Sequence, residues 1–286
     1  MKFLVTGSSS SIGQEVINTL SKNKKNLIYA TYSSLKPKIN KKNVKLTKYI
    51  ISDKQKKFKF EIDVFIHIAS LVPSDNKTRN QLIEVNFKNS VKLLSDLLSK
   101  NLRQIIFISS MSVYKKNQSL INENSALEYN DAYGESKLMF EDYLYKLSLI
   151  NSKIKTLILR LPGYVGNNSK NNFISSIKNK IINDEEVVFV NPNSLFNNVI
   201  HEKTLSKIIL KFIYKEKRKF LILNPAAKYP MKLKNIIKLM HKSRNKNLKI
   251  RVEKSKSKSF LIDTSRSRKL GYEINKTKDE ILRFIK

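Results

Sequence analysis

The chain has no cysteine, only 6 glycines, only 3 histidines, and 23 acidic residues against 56 lysines and arginines. Without cysteine, disulfides, thiolate metal sites and a cysteine nucleophile are excluded. His67, His201 and His241 are too scattered for a zinc motif such as H-E-x-x-H, so no metal site is expected. So few glycines exclude a collagen-like repeat. No apolar run approaches the ~18–20 residues needed to cross a bilayer. The opening Met1-Lys2-Phe3-Leu4-Val5-Thr6-Gly7 is too short an apolar stretch for a signal peptide. The chain therefore reads as soluble and cytoplasmic, with no membrane span.

What is present is enough for a core. The 286 residues are 41% hydrophobic and 28% charged, which argues against a disordered chain or a coiled coil. That length fits one large α/β domain, or one domain with a smaller appendage. The net charge of +33 would attract polyanions. Yet the lysines are spread along the whole chain among abundant asparagine and isoleucine, the pattern an AT-rich coding sequence produces. The densest basic stretch, from Lys242 to Lys258, lacks the interleaved aromatics that stack on bases. The charge is read as a solvated surface, with no specific nucleic-acid partner. A substrate carrying a diphosphate would still benefit from the field.

Short β-type runs alternate with amphipathic stretches through the first half. Strands are predicted at Lys2–Thr6, Asn26–Tyr32, Val44–Ile51, Val64–Ile68, Gln104–Ser109 and Ile154–Arg160. Helices are predicted at Ile12–Ser21, Asn80–Ser99 and Tyr133–Leu149, the second carrying Leu82, Val85, Val91, Leu94 and Leu98 at helical spacing. Near-continuous apolar strands such as Ile105-Ile106-Phe107-Ile108 point to burial on both faces, as in a parallel sheet. Alternation of strand and helix gives βαβ units and a doubly wound α/β sheet. After Arg160 the alternation loosens. Helices are predicted at Phe173–Ile182, Leu205–Tyr214 and Leu233–Lys242, with one more ending at Ile285 and a strand at Phe220–Leu223.

Four features carry chemistry. The first is Thr6-Gly7-Ser8-Ser9-Ser10-Ser11-Ile12-Gly13, between the first strand and first helix. Small residues there let backbone N–H groups approach a pyrophosphate at a helix N-terminus, although serines also cap helices. The second is the fourth strand, Asp63 to Ser70, which ends in small residues that leave room for a ribose; its His67 reads as a satisfied core histidine. The third is Ser109-Ser110-Met111-Ser112, hydroxyls at the C-terminal end of a strand. The fourth is Tyr133-Gly134-Glu135-Ser136-Lys137, whose i, i+4 spacing sets a lysine beside a tyrosine on one helix face. Lowering a phenol from about 10 to about 7 takes roughly 4 kcal/mol, which an ammonium and a cationic nicotinamide in a dry cleft can supply.

In this order the features resemble the extended short-chain dehydrogenase/reductase family, in its NAD-dependent epimerase/dehydratase branch acting on nucleotide sugars. The resemblance extends to Val85-Asn86, to Leu159-Arg160-Leu161-Pro162-Gly163-Tyr164-Val165-Gly166, to Val199-Ile200-His201, and to Asp263-Thr264-Ser265-Arg266 followed by Leu270-Gly271-Tyr272. It implies a doubly wound, mostly parallel Rossmann sheet over residues 1–162. Residues 163–286 would form mainly a smaller C-terminal substrate-binding lobe, with some segments returning to the core. It makes Ser110, Tyr133 and Lys137 catalytic. It assigns cofactor contacts to Gly7, Ser10, Ser11, Ile12, Gly13, Thr31, Asp53, Ala69, Tyr133, Lys137 and Pro162. The implied cofactor is NAD or NADP, the implied partner a nucleotide sugar, and the implied assembly a homodimer through the two long helices.

Departures from the family pattern refine these expectations. Ser10 stands where the family has its middle glycine, and needs an ordinary φ to avoid strain. The second strand ends Tyr32-Ser33-Ser34 without a carboxylate for a ribose 2′-hydroxyl, and Lys36 and Lys38 lie nearby, which leans toward NADP. Asn197 lies near the place of an arginine that grips the substrate diphosphate. Met111 and Ser112 replace the acidic pair of dehydratases. An epimerase or a 4-keto-sugar reductase is then expected. A non-catalytic NAD(P)-binding sensor or scaffold of the same fold is the alternative.

Overall fold

The computed structural model describes residues 1–51, 58, 60–73, 77–98, 101–167, 169, 172–242, 249–253 and 259–285. Apolar runs of period two and stretches of helical period take turns from the first residues. They fold as β1 (Lys2–Thr6), α1 (Ser11–Leu20), β2 (Leu27–Tyr32), β3 (Val44–Lys48) and β4 (Val64–His67). The helix predicted over Asn80–Ser99 is instead three pieces: α2 (Arg79–Ile83), a π-helical turn (Glu84–Lys88) and α3 (Asn89–Leu98). Next come β5 (Gln104–Ser110), a 3₁₀ turn (Met111–Val113), β6 (Leu120–Ile121), α4 (Ala132–Ile150) and β7 (Lys155–Leu161). The later chain holds β8 (Gly163–Val165), α5 (Phe173–Ile182), β9 (Val187–Val190), β10 (Leu195–Phe196) and β11 (Val199–His201). It continues through α6 (Glu202–Lys215), β12 (Phe220–Leu223), β13 (Met231–Lys232) and α7 (Leu233–Lys242). It ends with β14 (Ile250–Glu253), β15 (Leu261–Ile262), α8 (Ser265–Lys269) and α9 (Thr277–Ile285).

Among the described residues, seven strands join in one sheet in the order β12-β7-β5-β4-β1-β2-β3. β1 pairs in parallel with β2 and β4, and the β2–β3, β4–β5 and β7–β12 pairs are parallel too. The strand order reverses at β1, so the carboxyl ends of β1 and β4 form the crevice where open α/β sheets take ligands. This is the doubly wound Rossmann-type architecture that the sequence predicts. Every residue of β4 is buried, as expected of a strand covered on both faces.

The chain forms two compact units. The first joins Met1–Lys116, Ala126–Arg160 and Ser206–Leu223, and contains the large sheet. Its core packs Leu4, Phe65, Ile105, Phe107, Phe140, Leu144 and Ile158, each fully or almost fully buried. Burial of each such side chain contributes about 1.5–3 kcal/mol. The second unit joins Asn117–Ser125, Leu161–Leu205 and Asn224–Lys286. Its core packs Val165, Ile174, Val199, Ile236, Ile237 and Ile281, and its short strands pair in twos, β8 with β11 and β9 with β14.

α1 starts where it does because Ser10 caps it. The Ser10 hydroxyl accepts from Gly13 N at 3.0 Å, and Ile12, Val16, Ile17 and Leu20 then face the core at helical spacing. Gly13 lies so close to the preceding turn that a Cβ there would sit 2.3 Å from the Gly7 carbonyl oxygen. Both clashing groups are backbone, so neither yields easily. Gly13→Ala is expected to lose about 1–3 kcal/mol of stability in urea denaturation despite alanine's better helix propensity.

Candidate active site

The turn between β1 and α1 is built for close approach. Gly7 has φ +73°, and Ser10 has φ −70° and ψ 155°, an ordinary extended conformation free of the strain a serine at this place risks. The Ser10 hydroxyl donates to Gly7 O at 2.8 Å while accepting from Gly13 N, so capping is what it does here. Ser8 N donates to Thr31 O at 3.0 Å, which ties the turn to β2, where Thr31 is buried. The hydroxyls of Ser8 and Ser11 are buried without a hydrogen-bond partner. Lys36 and Lys38 are exposed, and Asp53 lies outside the described residues.

Thr6 links this turn to β4. Its hydroxyl oxygen accepts from Ile68 N and Ala69 N, each at 3.2 Å, so its single proton goes to His67 Nδ1 at 2.8 Å. His67 Nε2 then carries the ring proton and donates to the Ser90 hydroxyl at 2.9 Å. Both ring nitrogens are committed, so His67 is the core histidine that the sequence predicts. Burial, with the nearby Lys137 charge adding to it, pushes His67 down to about 3.

Tyr133 and Lys137 stand on the first turns of α4, capped by Asp131, whose carboxylate accepts from Gly134 N at 2.6 Å. Lys137 is 2% exposed; its Nζ donates to Ile108 O at 2.9 Å and lies 5.5 Å from the Tyr133 ring centroid and 4.8 Å from that of Phe107. Burial pulls the ammonium down to about 7, against the Glu141 carboxylate, which holds it up. Ser110 ends β5, and its hydroxyl accepts from Ser112 N and donates to the Ser112 hydroxyl, each at 3.1 Å. The Ser110 turn and α4 touch at backbone distance: a Cβ on Gly134 would lie 2.3 Å from Ser112 O. The Ser110–Ser112 turn is thus packed against the helix turn that carries Tyr133.

Further groups lie around this centre, among them Asn86 and Arg160, which belong to the family-like segments of the sequence but carry no assigned role there. Asn86, in the π-helical turn, uses its whole amide: Oδ1 accepts from Leu71 N at 2.7 Å and Ser70 Oγ at 3.0 Å, and Nδ2 donates to Leu71 O at 2.9 Å and Ser136 Oγ at 3.1 Å. It fastens the segment after β4 to α4 next to Lys137, and π-turns of this kind recur at functional sites. Arg79 grips Glu135 through both carboxylate oxygens. Glu141 and Arg160 form a buried pair behind Lys137. Its one available sign is Glu141 at i+4 from Lys137, on the core side of an amphipathic helix.

In the second unit, Pro162 follows directly on β7. Asn197 is 2% exposed and fully engaged with backbone: Nδ2 donates to Ala227 O at 3.0 Å and Ile262 O at 2.8 Å, and Oδ1 accepts from Ile262 N at 3.0 Å. A diphosphate grip is not available from that amide.

Residues 3–205 match the model of the NAD dependent epimerase/dehydratase family. A curated relative, the uncharacterized UDP-glucose epimerase YtcB of Bacillus subtilis (strain 168), is 26% identical over 166 residues. That match covers 52% of this chain and 52% of the relative, so it spans about half the relative's length. Among solved structures, the fold resembles UDP-glucuronic acid 4-epimerase from Bacillus cereus in complex with NAD, with TM-score 0.84 and 19% identity over 100% of this chain and 96% of that one. It also resembles UDP-N-acetylglucosamine 4-epimerase from Methanobrevibacter ruminantium M1 in complex with UDP-N-acetylmuramic acid, with TM-score 0.85 and 18% identity over 99% and 96%.

His67 makes the stability of the first unit depend on acid. Between its ordinary 6.5 and about 3, the unfolded chain binds a proton that the folded chain refuses. Stability is therefore lost as pH falls through that window, with a slope of up to about 1.4 kcal/mol per pH unit. His67→Gln keeps a hydrogen-bonding side chain that does not titrate there. Denaturation midpoints measured from pH 7 to pH 4 are expected to fall less steeply in that variant than in the wild type.

Proposed function

Because the chain belongs to the NAD dependent epimerase/dehydratase family, we propose that it is an NAD-dependent epimerase of a nucleotide sugar, with Ser110, Tyr133 and Lys137 as its catalytic residues. The observation that carries this reading is the buried Lys137 ammonium 5.5 Å from the Tyr133 ring centroid, on a helix packed against the Ser110 turn. The neighbouring structures are UDP-sugar 4-epimerases, which supports an epimerase over a 4-keto-sugar reductase.

The residues present fit a dinucleotide. The buried, unpartnered hydroxyl of Ser11 stands at the N-terminus of α1, where a pyrophosphate would gain both the helix dipole and a donor. Gly7, Ser10, Ile12 and Gly13 would bring main chain to the same group. Thr31 would line the adenosine ribose, and Ala69 the floor between the ribose and β4. Tyr133 and Lys137 would hold the nicotinamide ribose. When bound, the nicotinamide supplies reversible hydride exchange with a sugar carbon.

The protein's own part is to move a proton and fix geometry. The Tyr133 oxygen takes the proton of the sugar hydroxyl as the carbon is oxidised, and returns it when the carbon is reduced from the other face. Lys137 favours the phenolate through its charge, which acts strongly because the ammonium is held out of water. The Ser110 hydroxyl donates to the same sugar oxygen and fixes its direction. The engagement of Asn197 favours a substrate whose diphosphate is gripped by other groups.

Incubation with NAD and a panel of UDP-glucose, UDP-glucuronic acid and UDP-N-acetylglucosamine, followed by NMR, is expected to reveal the C4 epimer of at least one sugar. Tyr133→Phe should then lose about 10²–10⁴-fold in turnover while NAD affinity, read by calorimetry, is largely kept. Full turnover in that variant sinks the catalytic assignment, and NAD binding without conversion of any sugar points to the sensor or scaffold reading. Since β2 ends without a carboxylate, NAD and NADP dissociation constants are expected to differ by less than about tenfold. A larger gap in either direction means that other residues choose the cofactor.

A further inference from the structure

One helical turn beyond Lys137 lies a buried ion pair for which the proton-transfer scheme has no use. Arg160, from β7, donates from Nε to Glu141 Oε1 and Oε2 at 3.2 and 3.0 Å, and from Nη2 to Oε2 at 2.7 Å. The two side chains are 3% and 4% exposed. The Ser109 hydroxyl donates to Glu141 Oε1, and Arg160 Nη1 donates to the Tyr114 hydroxyl at 2.8 Å. The guanidinium also lies 4.9 Å from the Tyr114 ring centroid.

Ser109 and Tyr114 are the two flanks of the Ser110 turn. Through them one carboxylate joins β5, α4 and β7. Stability alone does not call for such a pair. Taking two charges out of water costs several kcal/mol, and apolar side chains of the same volume hold three elements together as well. The pair earns attention for where its charge sits.

The groups that face Lys137 come from three elements. β5 offers the Ile108 carbonyl and the Phe107 ring, and α4 offers the Tyr133 ring. β4 offers His67, which is neutral. The neighbouring carboxylate on α4, Glu135, is taken up by Arg79. Glu141 is the carboxylate that supports the Lys137 charge against burial.

We propose that Glu141 and Arg160 are positioning residues of the reaction: they lock the Ser110 turn to α4 and set a fixed negative charge one helical turn from Lys137. The inference rests on the reading of Ser110, Tyr133 and Lys137 as the catalytic trio. Glu141 supplies the negative charge and Arg160 fixes where its oxygens point. Ser109 and Tyr114 pass that fixed geometry to the hydroxyl between them.

The test compares the full-length wild type with Glu141→Gln and Tyr114→Phe. Competitive acylation across pH, read by mass spectrometry on the peptide carrying Lys137, reports the midpoint of that amine without any turnover. In Glu141→Gln the midpoint is expected to fall from about 7 by roughly one unit, since a negative charge is lost and a cation is unmasked. The alkaline limb of the kcat/KM profile should move down with it. A merely structural role predicts the reverse, because a loosened site admits water and returns the amine upward toward its ordinary 10.5. An unchanged or raised midpoint overturns the charge-setting role. Tyr114→Phe removes one hydroxyl and leaves the ion pair, so the test survives if Glu141→Gln does not fold. It is expected to lower kcat about tenfold with KM unchanged, and an unaltered kcat overturns the locking role. A wild type that binds NAD but converts no sugar sinks the functional reading instead, and the acylation result still stands on its own.

Discussion

The Lys137 ammonium is enclosed by the Ile108 carbonyl and the rings of Phe107 and Tyr133, with 2% of the residue exposed. A cation in that position constrains everything within its reach. β5 must end with a free carbonyl aimed at α4. α4 must carry a polar stripe of Ser136, Lys137 and Glu141 on the same buried face as Phe140, Leu144 and Leu147. Burial, with the Lys137 charge adding to it, holds His67 neutral, and its two nitrogens are satisfied by Thr6 and Ser90. Thr6 is the last residue of β1, so the same chain of requirements reaches the turn between β1 and α1. Packing and electrostatics therefore specify one arrangement from β1 to α4.

Much of that arrangement is legible in the sequence because the residues concerned are local. Thr6 to Gly13 announces a strand, a tight turn and a capped helix within eight positions, and Tyr133 and Lys137 share a helix face by spacing alone. The doubly wound sheet follows from alternation and from the right-handed rule for βαβ units. Other features depend on partners far away in the chain. The i+4 spacing from Lys137 is the one local sign of Glu141, and its partner Arg160 comes from β7, far away in the chain. The π-helical turn that aims Asn86 differs from an α-helix by one residue in register, which leaves the apolar spacing of Leu82, Val91 and Leu94 nearly unchanged. Strands of two or three residues, such as β8, β10 and β11, are too short to show a period. The basic stretch singled out in the sequence falls largely at 243–248 and 254–258, and Asp53 with them, outside the described residues.

Asn197 shows how a change at one position redistributes duties. A long cation near this place would reach outward to a phosphate; the short amide turns inward and stitches Ala227 to Ile262 with three hydrogen bonds. Buried backbone groups gain partners, which is worth roughly 1 kcal/mol for each bond. The second unit gains rigidity where it would otherwise present charge. With 56 lysines and arginines in the chain, positive charge is not scarce, and no single one of them needs to sit at position 197.

The oxygen of Ser10 bridges the Gly7 carbonyl and the Gly13 amide with no ligand taking part. A glycine at that point would leave the loop slack until a pyrophosphate drew it tight, and the entropy of tightening would be charged against binding. Here the mould is already set. The shape of this turn is therefore fixed by the chain's own bonds rather than by whatever approaches it.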